Sequence, residues 1–467
     1  METASTSELW AFGARALAEA ITARRASSRE VVKAHLDRIQ VVNPELNAVT
    51  RVMADVALEA ADRADRLLAS GAQVGRLHGV PISVKENVDV LGSPTTHGVV
   101  ALADAFPKAD SPQVASLRAA GAIVFARTNL PEFALRWHTD NALHGATKNP
   151  WNPALTPGGS SGGEAVALAT GMTPLGLGND DGGSLRYPPQ CSGVAAIKPS
   201  LGRVPRAVSD ESKESPISHQ LLNAEGPMAR HVEDLRLALE IMIQPSWHDP
   251  WHVPVGLVGA EVDRPIRVAM VSLHDVDEQV AEGVRRAAGQ LEDAGYVIEE
   301  ADPPSIAEAA ETWAKMTAWD SLLTWEDVSP LLSPDGRLQM EILFGVIGPV
   351  SPMEYRQTYI RRLVIARAWA KFQRQYPLVL SPVSTQPPFS VGTDLTPPGL
   401  ESILRSMRLL FPVNIVGLPA VVVPVGIGSG LPQAVQIIGR RYREDLCLDA
   451  AAAIEARTPQ FTPIFAT

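Results

Sequence analysis

The sequence predicts an α/β fold, with one large domain over residues 1–467 in which helices alternate with buried strands. Helix-like and strand-like segments follow one another from end to end of the chain, as in an α/β sheet. The chain is 45% hydrophobic, which is enough for a large core. The length alone would allow two or three domains, but the unbroken alternation and the lack of an internal repeat favour one.

Helices are predicted where apolar residues recur at helical spacing. Residues 7–70 follow this pattern, and the capping signal Ser27–Glu30 precedes one of their helices. The run between Ser160 and Ser184 also contains a short helical pattern. The predicted helices are Val31–Ile39, about 52–69, Ser111–Ala120, Val232–Ile243, Asp277–Ala294, Ala307–Leu323 and Glu354–Phe372.

Strands are predicted where short apolar runs are bounded by turn residues. The predicted strands are Ile82–Val84, Ala122–Ala126, Gly193–Ile197, Arg267–Leu273, Tyr296–Glu299, Pro377–Pro382, Leu418–Pro424 and Val435–Gly439. The polar segment Ser209–Ser218, which carries charges of both signs, is predicted to be a surface loop.

Composition and charge argue against several classes of function. The net charge of −11 is unfavourable for binding nucleic acid, whose phosphates require a basic surface. The two cysteines give neither a disulfide framework nor a paired metal motif, which suits a reducing compartment. The first residues do not resemble a signal peptide. The most apolar run, Phe411–Ile427, is too interrupted by proline and glycine to span a bilayer and is predicted to be buried strand and turn. We therefore expect a cytoplasmic protein.

The stretch from Pro157 to Pro188 is the strongest candidate for a functional site. It holds two glycine-flanked serines, Ser160 in GGSSGG and Ser184 in DDGGS. Glycine lets the backbone approach a ligand closely, and free N–H groups in a tight turn can converge on one oxygen, as stabilisation of an oxyanion requires. A flexible linker is the alternative, but the apolar runs within the stretch argue against it.

A serine nucleophile needs a base to accept its proton. The segment Gly158–Gly162 matches the G-x-S-x-G nucleophile elbow, but that motif should follow a strand and needs a histidine late in the chain. No histidine follows His274. Lysine is a known substitute for histidine. Lys85 directly follows the apolar strand Ile82–Val84, where burial can lower its pKa from ~10.4 towards neutrality.

Three segments together resemble the amidase signature family of serine hydrolases. They are GVPISVKENVDV around Lys85, GGSSGGE around Ser160 and DDGGSLR around Ser184, and further matching segments extend over nearly the whole chain. In that family a lysine, a serine held by a cis peptide and a nucleophilic serine form a triad. The resemblance therefore implies that Lys85 is the base, Ser160 the bridging serine and Ser184 the nucleophile. It also implies a large mixed central β-sheet covered by helices on both sides.

The resemblance implies supporting roles as well. The expected oxyanion-hole donors are the backbone N–H groups of Asp181, Gly182, Gly183 and Ser184. The expected supporting residues are Gly159, Ser161, Asp180 and Arg186, the last two as a structural ion pair.

Two positions depart from the family pattern. Glu86 follows the lysine where aspartate is common, and Asp181 stands where threonine is common. The extra carboxylate of Asp181 is expected to bias the site against anionic substrates.

The family implies a cofactor-independent hydrolase that cleaves the C–N bond of an aryl or alkyl amide through an acyl-enzyme on Ser184. Carbamates (urethanes) and esters remain open, because the same attack serves all three. Phe133 and Trp137 are candidates for the substrate pocket, and the variable helical region at about 305–410 is expected to select the substrate.

Two alternatives remain open: an amidotransferase component that supplies ammonia during tRNA charging, and a non-catalytic amide-binding protein. A metal site is not expected, because Pro250 would break the helix needed to align His248 and His252. The expected partner is a small amide or carbamate, with no nucleic acid or membrane, and the chain is expected to act as a monomer or homodimer.

Overall fold

The computed structural model describes residues 6–208 and 214–459, within which it contains sixteen α-helices and eleven β-strands. The helices are α1 (Ala14–Thr22), α2 (Ser28–Leu46), α3 (Ala54–Ala69), α4 (Pro112–Ala119), α5 (Gly162–Ala169), α6 (Tyr187–Ser192), α7 (Ile217–Leu222), α8 (Val232–Met242), α9 (Glu278–Asp293), α10 (Ile306–Leu323), α11 (Trp325–Val328), α12 (Pro334–Ile347), α13 (Pro352–Gln375), α14 (Pro397–Ser406), α15 (Phe411–Val416) and α16 (Glu444–Glu455). The strands are β1 (Val49–Val52), β2 (Pro81–Lys85), β3 (Ile123–Thr128), β4 (Leu175–Asp180), β5 (Ala195–Lys198), β6 (Ala224–Ala229), β7 (Arg267–Met270), β8 (Val297–Glu300), β9 (Leu378–Pro382), β10 (Ala420–Gly428) and β11 (Leu431–Gly439).

The strands form a single mixed sheet in the order β1-β3-β2-β4-β6-β5-β10-β11-β9-β7-β8. Strand β2 is parallel to β3 and to β4, and β7 is parallel to β8 and to β9. The other neighbours are antiparallel. The expected α/β architecture with a large mixed sheet is therefore confirmed. That the chain is one domain stays a prediction, which the continuous sheet favours.

Helices cover both faces of the sheet, so the central strands are buried on both sides. In β10, Val421 and Val423 pack in the cluster that includes α8, α9 and α16. The alternate residues Ala420 and Val422 pack in the cluster that includes α10, α13 and α15. A strand buried on both faces needs apolar residues at consecutive positions. This explains why the strand is a continuous apolar run.

Two central strands, β4 and β6, are absent from the predicted set because their composition is poor for strands. The sequence of β4 is LGLGND, and β6 (AEGPMA) contains Gly226 and Pro227. Glycine is needed in β4, since a Cβ added at Gly178 would lie 2.8 Å from the hydroxyl of Ser161. The close packing of α5 against β4 thus outweighs the low strand propensity of glycine in this segment.

Three other expectations need correction. The segment 7–70 is not wholly helical, because β1 pairs with β3 at the edge of the sheet. The run Phe411–Ile427 begins as α15 rather than as a strand, since Pro412 in the first turn is compatible with a helix. Of the loop predicted at Ser209–Ser218, residues 209–213 lie outside the described residues, and its end belongs to α7. Helices α6, α7, α11, α12, α14 and α16 are not among those predicted.

The sheet brings two chain segments of the candidate site to one edge. Lys85 is the last residue of β2, and Asp180 is the last residue of β4. These strands are parallel neighbours, with Ser83 opposite Gly176. Their carboxyl ends therefore meet at the same edge, where the loop carrying Ser184 follows.

No helix within the described ranges is both long and apolar enough to cross a membrane.

Leu380→Ala should lower the free energy of unfolding by about 2–5 kcal/mol, because it leaves a cavity between β9 and the helices on that face. Leu380 is fully buried, whereas Leu323 is 67% exposed at the end of α10. Leu323→Ala is the matched control and should change stability by less than about 0.5 kcal/mol. Urea denaturation measures both, and equal losses would contradict this account of the core.

Candidate active site

Lys85 is fully buried at the end of β2. Burial lowers its pKa to about 7, against the opposing influence of the buried carboxylates of Glu225, Asp180 and Glu164. A substantial fraction of this amine is therefore uncharged near neutral pH, as a proton acceptor must be.

Ser160 lies beside this amine. The Lys85 Nζ atom is 2.7 Å from the Ser160 Oγ atom. The Gly159–Ser160 peptide bond is cis. Gly159 packs tightly, because an added Cβ would lie 2.6 Å from the carbonyl oxygen of Arg136. Ser161 is fully buried and its hydroxyl donates to the Asn179 carbonyl at 3.5 Å.

Asn179, on β4, is a second partner of the lysine that the sequence did not indicate. Its Oδ1 atom accepts a hydrogen bond from Lys85 Nζ at 2.8 Å, and its Nδ2 donates to Asn87 at 3.1 Å. A neutral amine has two N–H groups and one lone pair. With one N–H directed at Asn179, the lone pair is available to the Ser160 hydroxyl.

Ser184 follows β4 in the loop that precedes α6, and only 8% of its surface is exposed. Ser160 and Ser184 line the same cavity. No hydrogen bond joins their hydroxyls among the described residues, so the second link of the proposed relay stays a prediction. Substrate binding or a small rotation of either side chain would have to complete it.

Asp180 and Arg186 form the expected ion pair beneath this loop. Both are fully buried, and Arg186 Nε donates to Asp180 Oδ2 at 2.9 Å. Burial alone would raise the pKa of Asp180, but the Arg186 guanidinium beside it holds that pKa well below its usual range. Arg186 also donates to Asn414 in α15 at 2.6 Å, which ties the loop to the helical layer.

The expected oxyanion hole needs one correction. The N–H of Gly183 donates to Asp180 Oδ1 at 2.8 Å, so it is already engaged and is not a free donor. The N–H groups of Asp181, Gly182 and Ser184 have no acceptor among the described residues. These three groups remain the candidates for binding an oxyanion.

Two tryptophans hold the carbonyl groups of this loop. Trp313 Nε1 donates to the carbonyl of Asp181 at 2.8 Å, and Trp137 Nε1 donates to that of Gly182 at 3.0 Å. Each bond fixes one peptide plane, and the N–H of the same peptide points to its other side. The indoles thereby orient the backbone groups next to Ser184. Trp313 also stacks on Phe411, with ring centroids 4.4 Å apart.

A cavity of about 320 Å³ opens from the two serines. Much of its wall is apolar and aromatic. Its apolar lining includes Phe133, Trp137, Trp313, Trp325, Met340 and Leu343. Phe133 and Trp137 thus lie where the pocket was expected, and helices α10, α11 and α12 of the region at about 305–410 contribute to the wall.

Glu86 lies apart from the serines. It accepts a hydrogen bond from Thr50 at 2.6 Å, and its carboxylate is 2.9 Å from His144. Although burial alone would raise the pKa of Glu86, the His144 contact lowers it below its usual value. Asp181 instead faces the cavity, and its Oδ2 atom is 3.1 Å from His219 Nδ1.

The remaining candidates for chemistry are not part of this site. In the described part of the chain, no three His, Cys, Asp or Glu side chains are grouped so that they could hold a metal ion. His248 and His252 are therefore not part of such a group. Cys191 is fully buried, and burial raises the pKa of its thiol far above the usual value. Such a thiol packs in the core and does not act as a nucleophile.

A model of the amidase family matches residues 30–448. The chain therefore belongs to the amidase family, and it is a hydrolase of amide bonds. The resemblance drawn from the three sequence segments is confirmed.

Individual relatives agree with this assignment. An indoleacetamide hydrolase from Bradyrhizobium diazoefficiens is 43% identical over 455 residues, which cover 96% of this chain and 87% of the relative. One component of a glutamyl-tRNA(Gln) amidotransferase from Cyanothece sp. is 31% identical over 482 residues, covering 95% and 98% of the two chains. The structure of a bacterial aryl acylamidase of the amidase signature family superimposes with a TM-score of 0.83 at 26% identity, covering 96% of this chain and 97% of that one.

Asn179→Asp should move the acid limb of the pH–rate profile. The rate depends on neutral Lys85, so kcat/KM of the wild type should rise with pH through about 7, the pKa of this lysine. A carboxylate in place of the amide favours the ammonium form and raises that pKa, shifting the limb upwards by about 1–3 pH units. Asn179→Ala adds no charge and should lower the rate without this upward shift. A limb that stays in place in Asn179→Asp would contradict Lys85 as the titrating base.

Trp313→Phe should lower kcat by about tenfold, because it removes the N–H that fixes the oxyanion loop but keeps an aromatic ring in the wall. Trp325→Phe is the control, since Trp325 lines the cavity without donating to that loop. It should change KM more than kcat. Steady-state kinetics on one amide would separate the two effects, and an equal loss of kcat in both variants would refute this role.

Proposed function

We propose that the protein hydrolyses a small aromatic amide, with an arylacetamide such as indoleacetamide as the first candidate. The observation that carries the proposal is the 2.7 Å contact between buried Lys85 and Ser160, at the end of an aromatic cavity that Ser184 also lines. The relative at 43% identity, an indoleacetamide hydrolase, supports an arylacetamide over a purely alkyl amide.

The proposed reaction begins with neutral Lys85. It accepts the Ser160 proton while Ser160 accepts that of Ser184, whose oxygen attacks the amide carbon. The resulting oxyanion is bound by the N–H groups of Asp181, Gly182 and Ser184. The protons then return along the same route to the departing amine, and the C–N bond breaks. Water attacks the ester on Ser184 by the same relay and releases the acid.

Carbamates and esters stay within this proposal, because both present a carbonyl to the same nucleophile.

The amidotransferase alternative is supported by relatives at about the 31% level of identity. Glutamine, as the ammonia source of such a reaction, carries two charged groups on its α-carbon, whereas the accessible wall of the cavity is mostly apolar. We favour the small-molecule amidase, acting without a cofactor in the cytoplasm as a monomer or homodimer.

Ser184→Ala should abolish hydrolysis of indoleacetamide, with a loss of kcat of about 10³-fold or more. A fluorophosphonate probe should label the wild type and not this variant. Ser192→Ala is the control, because Ser192 is another buried serine of the following helix and should keep both properties.

A panel of indoleacetamide, an anilide, an aryl carbamate and glutamine, each assayed for product release, ranks the substrate classes. Turnover of glutamine alone would refute the aromatic amide and favour the amidotransferase. Absence of labelling at Ser184 in a folded protein would instead favour an amide-binding protein.

A further inference from the structure

The side chain of Asp181 projects from the oxyanion loop into the substrate cavity. Its backbone carbonyl is fixed by Trp313 at 2.8 Å, and its Oδ2 atom is fixed by His219 Nδ1 at 3.1 Å. A carboxylate only accepts hydrogen bonds, so the Nδ1 atom of His219 carries the proton of this pair. Both the backbone carbonyl and the side chain of Asp181 are thus held by hydrogen bonds, three residues before Ser184.

The other carboxylate oxygen of Asp181 has no partner. Oδ1 is buried and forms no hydrogen bond within the ranges that the structure describes. A buried acceptor without a donor costs free energy unless a ligand or water supplies one. The Asp181 side chain is 32% exposed, so a small rotation of the carboxylate would bring this oxygen within reach of an N–H or ammonium group of a bound substrate.

The charges around the cavity favour the same kind of substrate. Three lining residues carry a fixed charge, namely Asp181, Asp320 and Arg136. Arg136 is neutralised by buried Asp394, at 2.9 Å. Each carboxylate oxygen of Asp320 already accepts one hydrogen bond, from Ser218 N at 2.9 Å and from the Tyr355 hydroxyl at 2.6 Å. The cavity therefore has an excess of negative charge, with Asp181 as the carboxylate that still has a free acceptor.

We propose that Asp181, oriented by His219, is a specificity-determining residue that selects neutral or cationic aromatic amides with an N–H donor and disfavours amides that carry a carboxylate. The proposal rests on the proposed amidase function and names the substrate class of that site.

The experiment compares three phenylacetamides that differ only in the para substituent: methyl, aminomethyl and carboxylate. Wild-type kcat/KM for ammonia release at pH 8 should be at least about tenfold lower for the carboxylate than for the methyl compound, and not lower for the aminomethyl compound. Asp181→Asn should reduce the methyl-to-carboxylate ratio to about threefold or less. Because each ratio is taken within one variant, a general loss of kcat does not affect it.

Two further variants separate charge from structure. His219→Ala removes the imidazole but leaves the Asp181 carboxylate, so it should keep the discrimination or increase it. Asp293→Asn makes the same change of charge on α9, on the opposite face of the sheet, and should leave all three rates unchanged.

An unchanged methyl-to-carboxylate ratio in Asp181→Asn would overturn the proposal while leaving the amidase function intact. If the wild type is labelled at Ser184 but hydrolyses none of the three compounds, the arylacetamide proposal fails. Protection from the fluorophosphonate probe by the same compounds then tests Asp181: protection in the order aminomethyl, methyl, carboxylate supports the selection, and equal protection overturns it.

Discussion

The removal of Lys85 from water is the constraint on which the rest of the site depends. An exposed lysine is charged at neutral pH and cannot accept a proton from a hydroxyl. Here the amine lies at the end of a strand buried on both faces, and burial brings its pKa to about 7. Its neighbours are consistent with this state, because Ser160 and Asn179 are neutral partners within 2.7 and 2.8 Å. The large two-sided sheet is therefore a requirement of the chemistry as well as a scaffold.

The second requirement is a backbone loop that keeps its shape beside the nucleophile. Asp180 binds Arg186 through a buried ion pair and also accepts the N–H of Gly183. Two indole N–H groups hold the outer side of the same loop. Charged groups buried below and aromatic groups packed above thus fix the peptide planes, so little reorganisation is needed when charge develops on the substrate.

Much of the fold could be predicted from sequence, and the failures have physical causes. Strands such as β2 and β3 are short apolar runs, which can be recognised from the neighbouring residues alone. By contrast β4, which carries Asn179 and Asp180, is rich in glycine because a helix packs closely on it. The two serines and the lysine were found because each lies in a compact motif. The role of Asn179 depends on the pairing of β2 with β4, and those of His219 and Trp313 depend on contacts between segments far apart in the chain.

Trp313 has two roles at once, since it forms part of the cavity wall and holds a carbonyl of the loop beside Ser184. An oversized acyl group that pushes this indole aside would also release the peptide that must stabilise the reaction. Molecules that fit badly should consequently occupy the enzyme without being turned over, and so behave as competitive inhibitors rather than as slow substrates. Selectivity for the correct amide would then come from the rate of the chemical step as much as from the strength of binding.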